Sequence, residues 1–434
     1  MVRTRADRRV LAAAWRAVAL VCVLACFVTA PALAARERIG PPPRAELSRD
    51  LLASRIDNFF NAEVAAGKIP GAIVEIRHRG ETVYARAFGL QNVDSGKPMR
   101  DDAIFELHSV TKTITSVAVM MLVDDGKLEL NDPVGKYIPA FDRMFVGVES
   151  KADNGNRQLD LVPAKRPITI EDLLLHTSGI TYGFYGGDSM VKWLYSAMYF
   201  GDYDNEEFAD RIAHAVLADQ PGTLWNYGHS YDVLGRVVEV VSGQSLYAFE
   251  KQRLLDPLGM TDTKFFLTDP AERARYAQRL PKDRREERNA LEPTRWQSGG
   301  GGMVSTRRDL SRFVQMLENG GEFEGRRYLS PSAFKAMTSD HIGPETGIKR
   351  NEHYYPGDGF GYGYGYAVRT SAGRKQPPDP GSLGEIKWDG AGGVYFVIDR
   401  AQQLTILLME NLGPDHVRIQ QALKRIVYDA FEEK

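Results

Sequence analysis

Ser109 and Lys112 lie three residues apart in FELHSVTKTIT, residues 105–115, at the start of an apolar run that ends at Asp124-Asp125-Gly126. Residues i and i+3 share a helix face, so the spacing predicts a hydroxyl beside an amine. From Ile114 to Val123 the chain is apolar nearly throughout, the pattern of a helix buried all round. Burial disfavours an ammonium and lowers a lysine pKa, which makes a free amine available as a base. A serine hydroxyl is a weak nucleophile until such a base takes its proton. The positive end of the helix favours an oxyanion nearby. The chemistry open to this pair is nucleophilic attack by a serine hydroxyl that the amine activates. The plainer reading is Ser109 as an N-cap and Lys112 as a solvated first-turn residue. A second pair at the same spacing, Ser332 and Lys335 in SPSAFKAM, follows Pro331 and reads as part of a short surface helix.

The elements that must position the pair come from both ends of the chain. Ser48 is a candidate cap for a helix whose Leu52, Ile56, Phe59 and Phe60 form one stripe. Ile73 to His78 and Thr82 to Phe88 read as a hairpin turned at Arg79-Gly80-Glu81. Gly361 to Thr370, Gly384 to Lys387, Gly393 to Asp399 and Leu404 to Glu410 read as four more strands. Pro414 opens a final helix with a stripe of Ile419, Leu423, Ile426, Val427 and Ala430. The alternation GFGYGYGYA, residues 359–367, predicts a strand with close backbone approach on one face. The expected fold class is α+β: an antiparallel sheet built from both chain ends and flanked by terminal helices, residues 48–105 and 321–434, with a mostly helical part over 106–320. There is no internal repeat.

The composition, 43% hydrophobic and 26% charged, is that of a globular chain, and the absence of a basic excess argues against a nucleic-acid partner. Residues 1–34 carry five arginines, an apolar run from Ala17 to Val28 and the small-residue site Ala32-Leu33-Ala34, the signature of a cleaved export signal. Arg8-Arg9 leaves a twin-arginine route open. The expected location is periplasmic or secreted, with no stable membrane span. Residues 35–47, with Pro41-Pro42-Pro43, read as a poorly ordered leader. Both cysteines, Cys22 and Cys26, fall within the signal, so the remainder needs neither disulfide nor thiol chemistry.

Four further segments follow Ser109-Val110-Thr111-Lys112 in order: LLLHTSGI at 173–180, PGTLWNYGHSYDVLG at 221–235, SGGGGMVSTRRDL at 298–310 and IKWDGAGGVYFVID at 386–399. Together they resemble the serine β-lactamase and penicillin-binding-protein superfamily, in particular the class C-like branch that includes family VIII carboxylesterases. The resemblance implies Ser109 as the acylated nucleophile, Lys112 as its activating partner and Tyr227, in the place of the tyrosine of Y-x-N, as the proton relay. Whether Lys112 or Tyr227 first deprotonates Ser109 stays open, because coupled groups share protons. It further implies an oxyanion hole from the amides of Ser109 and Ala391, beside Gly390.

Two positions depart from the family pattern. Trp388-Asp389-Gly390 replaces K-T-G, and His229 stands where Y-x-N has asparagine. A tryptophan cannot hold a substrate carboxylate, and strand alternation sends Lys387 to the opposite face, so neutral esters are expected. His229 is open to two readings, a bond to the acyl group or lysine and a structural polar role. The resemblance implies an acyl-enzyme hydrolase without a cofactor, acting on a small-molecule ester or amide. The alternatives are a β-lactamase, D-aminopeptidase or D,D-peptidase with the same nucleophile, and a silent binding or sensor domain. No G-x-S-x-G, H-E-x-x-H or P-loop pattern occurs. His176 reads as a loop buttress, and the stretches 147–167 and 182–203, the second rich in Tyr, Phe and Trp, as walls of an acyl pocket.

Overall fold

The computed structural model describes residues 46–432 apart from 185–187, 200, 284–289, 352 and 414. The proposed signal, most of the leader and Pro414 therefore lie outside the described residues. Glu46-Leu47, expected to be poorly ordered, instead pair antiparallel with Phe431-Glu432. That pairing changes the entry of α1 (Arg49–Ala65). Ser48 precedes the helix but makes no side-chain cap; its N–H donates to Ala430 O at 2.9 Å. The chain end thus fixes the backbone at the helix entry, while the expected side-chain cap is not formed.

β1 (Gly71–His78) and β2 (Glu81–Asn92) form the anticipated hairpin. Arg79 and Gly80 both have positive φ, 55° and 80°, as the favoured two-residue hairpin turn requires. β3 (Lys97–Pro98) follows, and then the segment that carries Ser109 leads into α2 (Thr111–Asp124). Further on come β4 (Phe145–Lys151), β5 (Arg157–Pro163) and α3 (Ser230–Ser242). The C-terminal third supplies β6 (Phe360–Tyr362), β7 (Ala367–Arg369), β8 (Ile386–Asp389), β9 (Tyr395–Asp399), β10 (Leu404–Glu410) and α4 (His416–Tyr428). The main sheet has eight strands in the order β6-β7-β8-β9-β10-β1-β2-β3. Every neighbouring pair is antiparallel. Chain ends meet at β10 and β1, in a register from Leu404 opposite His78 to Glu410 opposite Ala72.

Alternation along these strands divides the apolar residues between two layers. Val74, Ile76, Val397, Ile406 and Leu408 pack against Leu52, Ile56 and Phe60 of α1 and Ile419, Leu423 and Val427 of α4. One step along, Ile73, Phe396, Ile398, Leu407 and Met409 face the larger core that contains α2. Each such fully buried aliphatic side chain contributes about 1.5–3 kcal/mol.

One sequence expectation needs correction. The Gly/Tyr stretch is a hairpin, not one strand: Gly365 has φ 89°, and a Cβ at Gly363 would stand 2.2 Å from Met337 O. Tyr362, Tyr364 and Tyr366 all turn inward, and Tyr364 O and Tyr366 OH bond to Ser116 and Thr113 of α2. The part between 106 and 320 also holds the hairpin β4–β5, paired from Phe145–Pro163 to Lys151–Arg157. Its turn, with Gly155 at φ 82°, joins two alternating segments.

Candidate active site

Ser109 sits in a 3-10 turn, His108–Val110, that runs directly into α2. His108 has φ 45°, a left-handed value for a non-glycine residue. Arg279 Nη2 and Glu106 Oε2 lie 2.6 and 3.2 Å from its Nε2 and hold the strained turn. Ser109 is half-buried and makes no helix cap, so the plainer reading of the pair is not the one observed.

Lys112 is fully buried, and its Nζ donates to Ser109 Oγ at 3.2 Å, to Tyr182 OH at 3.1 Å and to Gly300 O. Burial brings its pKa down to about 7, against the opposing charge of Asp232. The same Nζ lies 4.7 Å from the centre of the Tyr227 ring. Tyr227, also buried, is packed by the rings of Tyr182, Tyr355 and His176 at 5.5, 5.7 and 4.5 Å. The centre thus holds two phenols. Tyr182 was missed as a site residue because only its place two residues beyond LLLHTSGI connects it to the motif. His176 buttresses this cluster from φ 56°, and burial keeps its imidazole neutral.

The strand β8 reaches Ser109 from the other end of the chain. Trp388 Nε1 donates to Ser109 O at 3.1 Å, and its ring, 2% exposed, packs on Tyr355 and Tyr362. Lys387 lies on the opposite face, with Nζ 4.2 Å from the Phe360 ring centre. Beyond β8, Gly390 N–H donates to Val394 O and Gly393 N–H to Gly390 O, both at 2.8 Å, which closes a tight turn around exposed Ala391. Only glycine fits its flanks: a Cβ would stand 2.2 Å from Leu107 O at Gly390 and 2.7 Å from His108 Cδ2 at Gly392. The turn therefore lies directly against the segment that carries Ser109.

His229, 1% exposed, directs Nδ1 to Asp232 Oδ2 at 2.8 Å and packs edge-on to Tyr182 at 4.5 Å. Among the described residues no cluster of acidic, histidine or cysteine side chains could hold a metal. No helix among them is long and apolar enough to cross a membrane. The other serine-lysine pair stays on the surface: Ser332 and Lys335 are exposed on the short helix Pro331–Met337.

A buried amine against a serine hydroxyl, a second strand supplying a glycine turn and a two-layer sheet define a serine acyl-transfer protein. A family model described as Beta-lactamase matches residues 56–428, and the chain belongs to that family. It is 30% identical to esterase EstB of Burkholderia gladioli, over 85% of this chain and 93% of the esterase. It is 34% identical to lovastatin esterase of Penicillium rubens, over 67% of this chain and 73% of that one. The solved structure of EstCE1, described as a hydrolase with promiscuous acyltransferase activity, superposes with a TM-score of 0.72 at 25% identity, covering 88% of this chain and 99% of that one. The chain is a serine hydrolase or acyl-transferring enzyme with the fold expected from the two-ended sheet.

Proposed function

We propose that the chain is a carboxylesterase that cleaves small neutral esters through an acyl-enzyme on Ser109. The hydrogen bond from Lys112 to Ser109 carries this reading. With a pKa near 7, the lysine is substantially neutral at physiological pH and takes the Ser109 proton as Oγ attacks the ester carbonyl. The amides of Ser109 and Ala391 receive the oxyanion. As the tetrahedral adduct collapses, the alcohol leaves with a proton from Tyr227 or Tyr182, which the Lys112 ammonium restores. Water then repeats the sequence in reverse and frees the acid. An alcohol in place of that water takes the acyl group, consistent with the acyl transfer described for EstCE1.

The preference for neutral substrates rests on Trp388, whose indole occupies the place of a carboxylate-binding lysine and is bonded to the nucleophile's own carbonyl. Phe184, 71% exposed and stacked on Tyr182 at 5.0 Å, and Trp193, 57% exposed beside the Arg157 guanidinium, supply an aromatic wall for the acyl side. Phe184→Ala and Trp193→Ala should shift the preferred acyl length; an unchanged preference removes this wall from the reading. Export is proposed on the N-terminal signature alone, and mass spectrometry of the secreted protein should find Ala35 as its first residue.

The deciding assay compares a short p-nitrophenyl ester with a chromogenic cephalosporin, each repeated with Ser109→Ala. Ester turnover that disappears in the variant, with little cephalosporin turnover, is expected. Cephalosporin turnover at a comparable rate would show that Trp388 excludes no carboxylate substrate and would favour the β-lactamase or peptidase reading.

A further inference from the structure

Behind Lys112 stands a carboxylate that the mechanism above does not use. Asp232, 4% exposed in the first turn of α3, accepts at Oδ1 from Ser298 Oγ at 2.6 Å and from Gly300 N–H at 3.3 Å. Its Oδ2 faces His229 Nδ1 at 2.8 Å. Gly300 is the same residue whose carbonyl receives Lys112 Nζ. The glycine loop lies flush on α3, since a Cβ at Gly299 would stand 2.6 Å from Tyr231 O and one at Gly300 2.9 Å from Asp232 Oδ2. A bulkier residue at either position would lift the loop and the carbonyl that aims the lysine.

We propose that Asp232 is a positioning residue of the reaction, the buried counter-charge of Lys112 and the anchor of the glycine loop that directs that amine at Ser109. The inference rests on the reading of Lys112 as the group that takes the Ser109 proton. Burial opposes the Asp232 charge, but the His229 bond and charge, the Ser298 bond and the charge of Lys112 hold its carboxyl below the usual range. Of the other groups packed around the lysine, His176 is kept neutral by burial and by the lysine itself, and Tyr182 and Tyr227 meet it with a hydroxyl and a ring. Glu250, which accepts from Thr115 one turn along α2, has its carboxyl pushed well above the usual value by burial. Asp232 is thus the carboxylate that favours the ammonium form. Its loss leaves the lysine neutral to lower pH.

Asp232→Asn keeps the volume and the acceptor for Ser298 and Gly300 and removes the charge. The rate at which a fluorophosphonate labels Ser109, measured against pH on protein whose fold is checked by near-ultraviolet circular dichroism, reads the acid limb without turnover. For the wild type the limb is expected near the Lys112 pKa. In Asp232→Asn it should move to lower pH by about one unit, while Ser298→Ala, which keeps the charge, should leave it in place. A folded Asp232→Asn with an unmoved limb overturns the inference and leaves the role of Lys112 intact. A wild type with no limb at all overturns the role of Lys112, and the inference with it. Should Asp232→Asn not fold, Asp232→Glu decides: a limb in place with labelling slowed at least tenfold is expected, and an unslowed rate overturns the anchoring role.

Discussion

In an unfolded chain Lys112 titrates near 10.5, whereas burial in the native state brings it to about 7. Below 10.5 the unfolded chain binds a proton that the native protein lacks, so stability falls as pH drops from 10.5 to 7 and changes no further below. Lys112→Met removes that penalty. After the lost hydrogen bonds to Ser109, Tyr182 and Gly300 are counted, the variant should be more stable at pH 7 by on the order of 1–3 kcal/mol. It should also lack turnover, and urea unfolding at pH 7 and pH 10 checks both the gain and its disappearance at the higher pH. The two phenols give a second test. Tyr227→Phe should lower kcat by about 10²–10³-fold, the range of a lost proton-transfer group. If Tyr182 works in the same relay, the double variant loses little more than the worse single one, because residues acting as a unit are not additive.

At the scale of elements, the glycine turn proposed to receive the oxyanion is shaped by what it touches. A methyl at Gly392 would meet the His108 ring, which Arg279 and Glu106 hold in place. Gly392→Ala should lower kcat by about 10²-fold, the effect of one displaced oxyanion donor, with KM little changed in steady-state ester hydrolysis. Legibility in the sequence also divides at this scale. The Ser109–Lys112 contact follows from spacing within one helix, and the strands β1, β2, β9 and β10 follow from β-branched and aromatic runs bounded by turn residues. Tyr182 and Asp232 were not readable, because their partners lie on other elements and nothing local marks a tyrosine or aspartate as facing a lysine. The Gly/Tyr stretch misled for a related reason: alternation reports which way side chains point, but only the contact with Met337 O and the positive φ of Gly365 make it turn. At Trp388 the sequence pointed to neutral substrates, and the structure adds a hydrogen bond to the Ser109 backbone.

Across the whole molecule, the sheet separates a layer that stabilises from a layer that reacts. Leu408 is fully buried among α1 and α4, on the face away from α2. Leu408→Ala should cost about 2–5 kcal/mol in chemical denaturation, yet leave kcat unchanged below the unfolding transition. A fall in kcat at low denaturant would mean that the two layers are coupled. The closure of that sheet from both ends also has a consequence in time. Ser109 and the Trp388 indole that braces it are 279 positions apart, and the glycine turn follows later still. A chain emerging from the ribosome presents its N-terminal elements first. It therefore carries Ser109 and Lys112 for most of its synthesis without the Trp388 strand and the glycine turn that close on them.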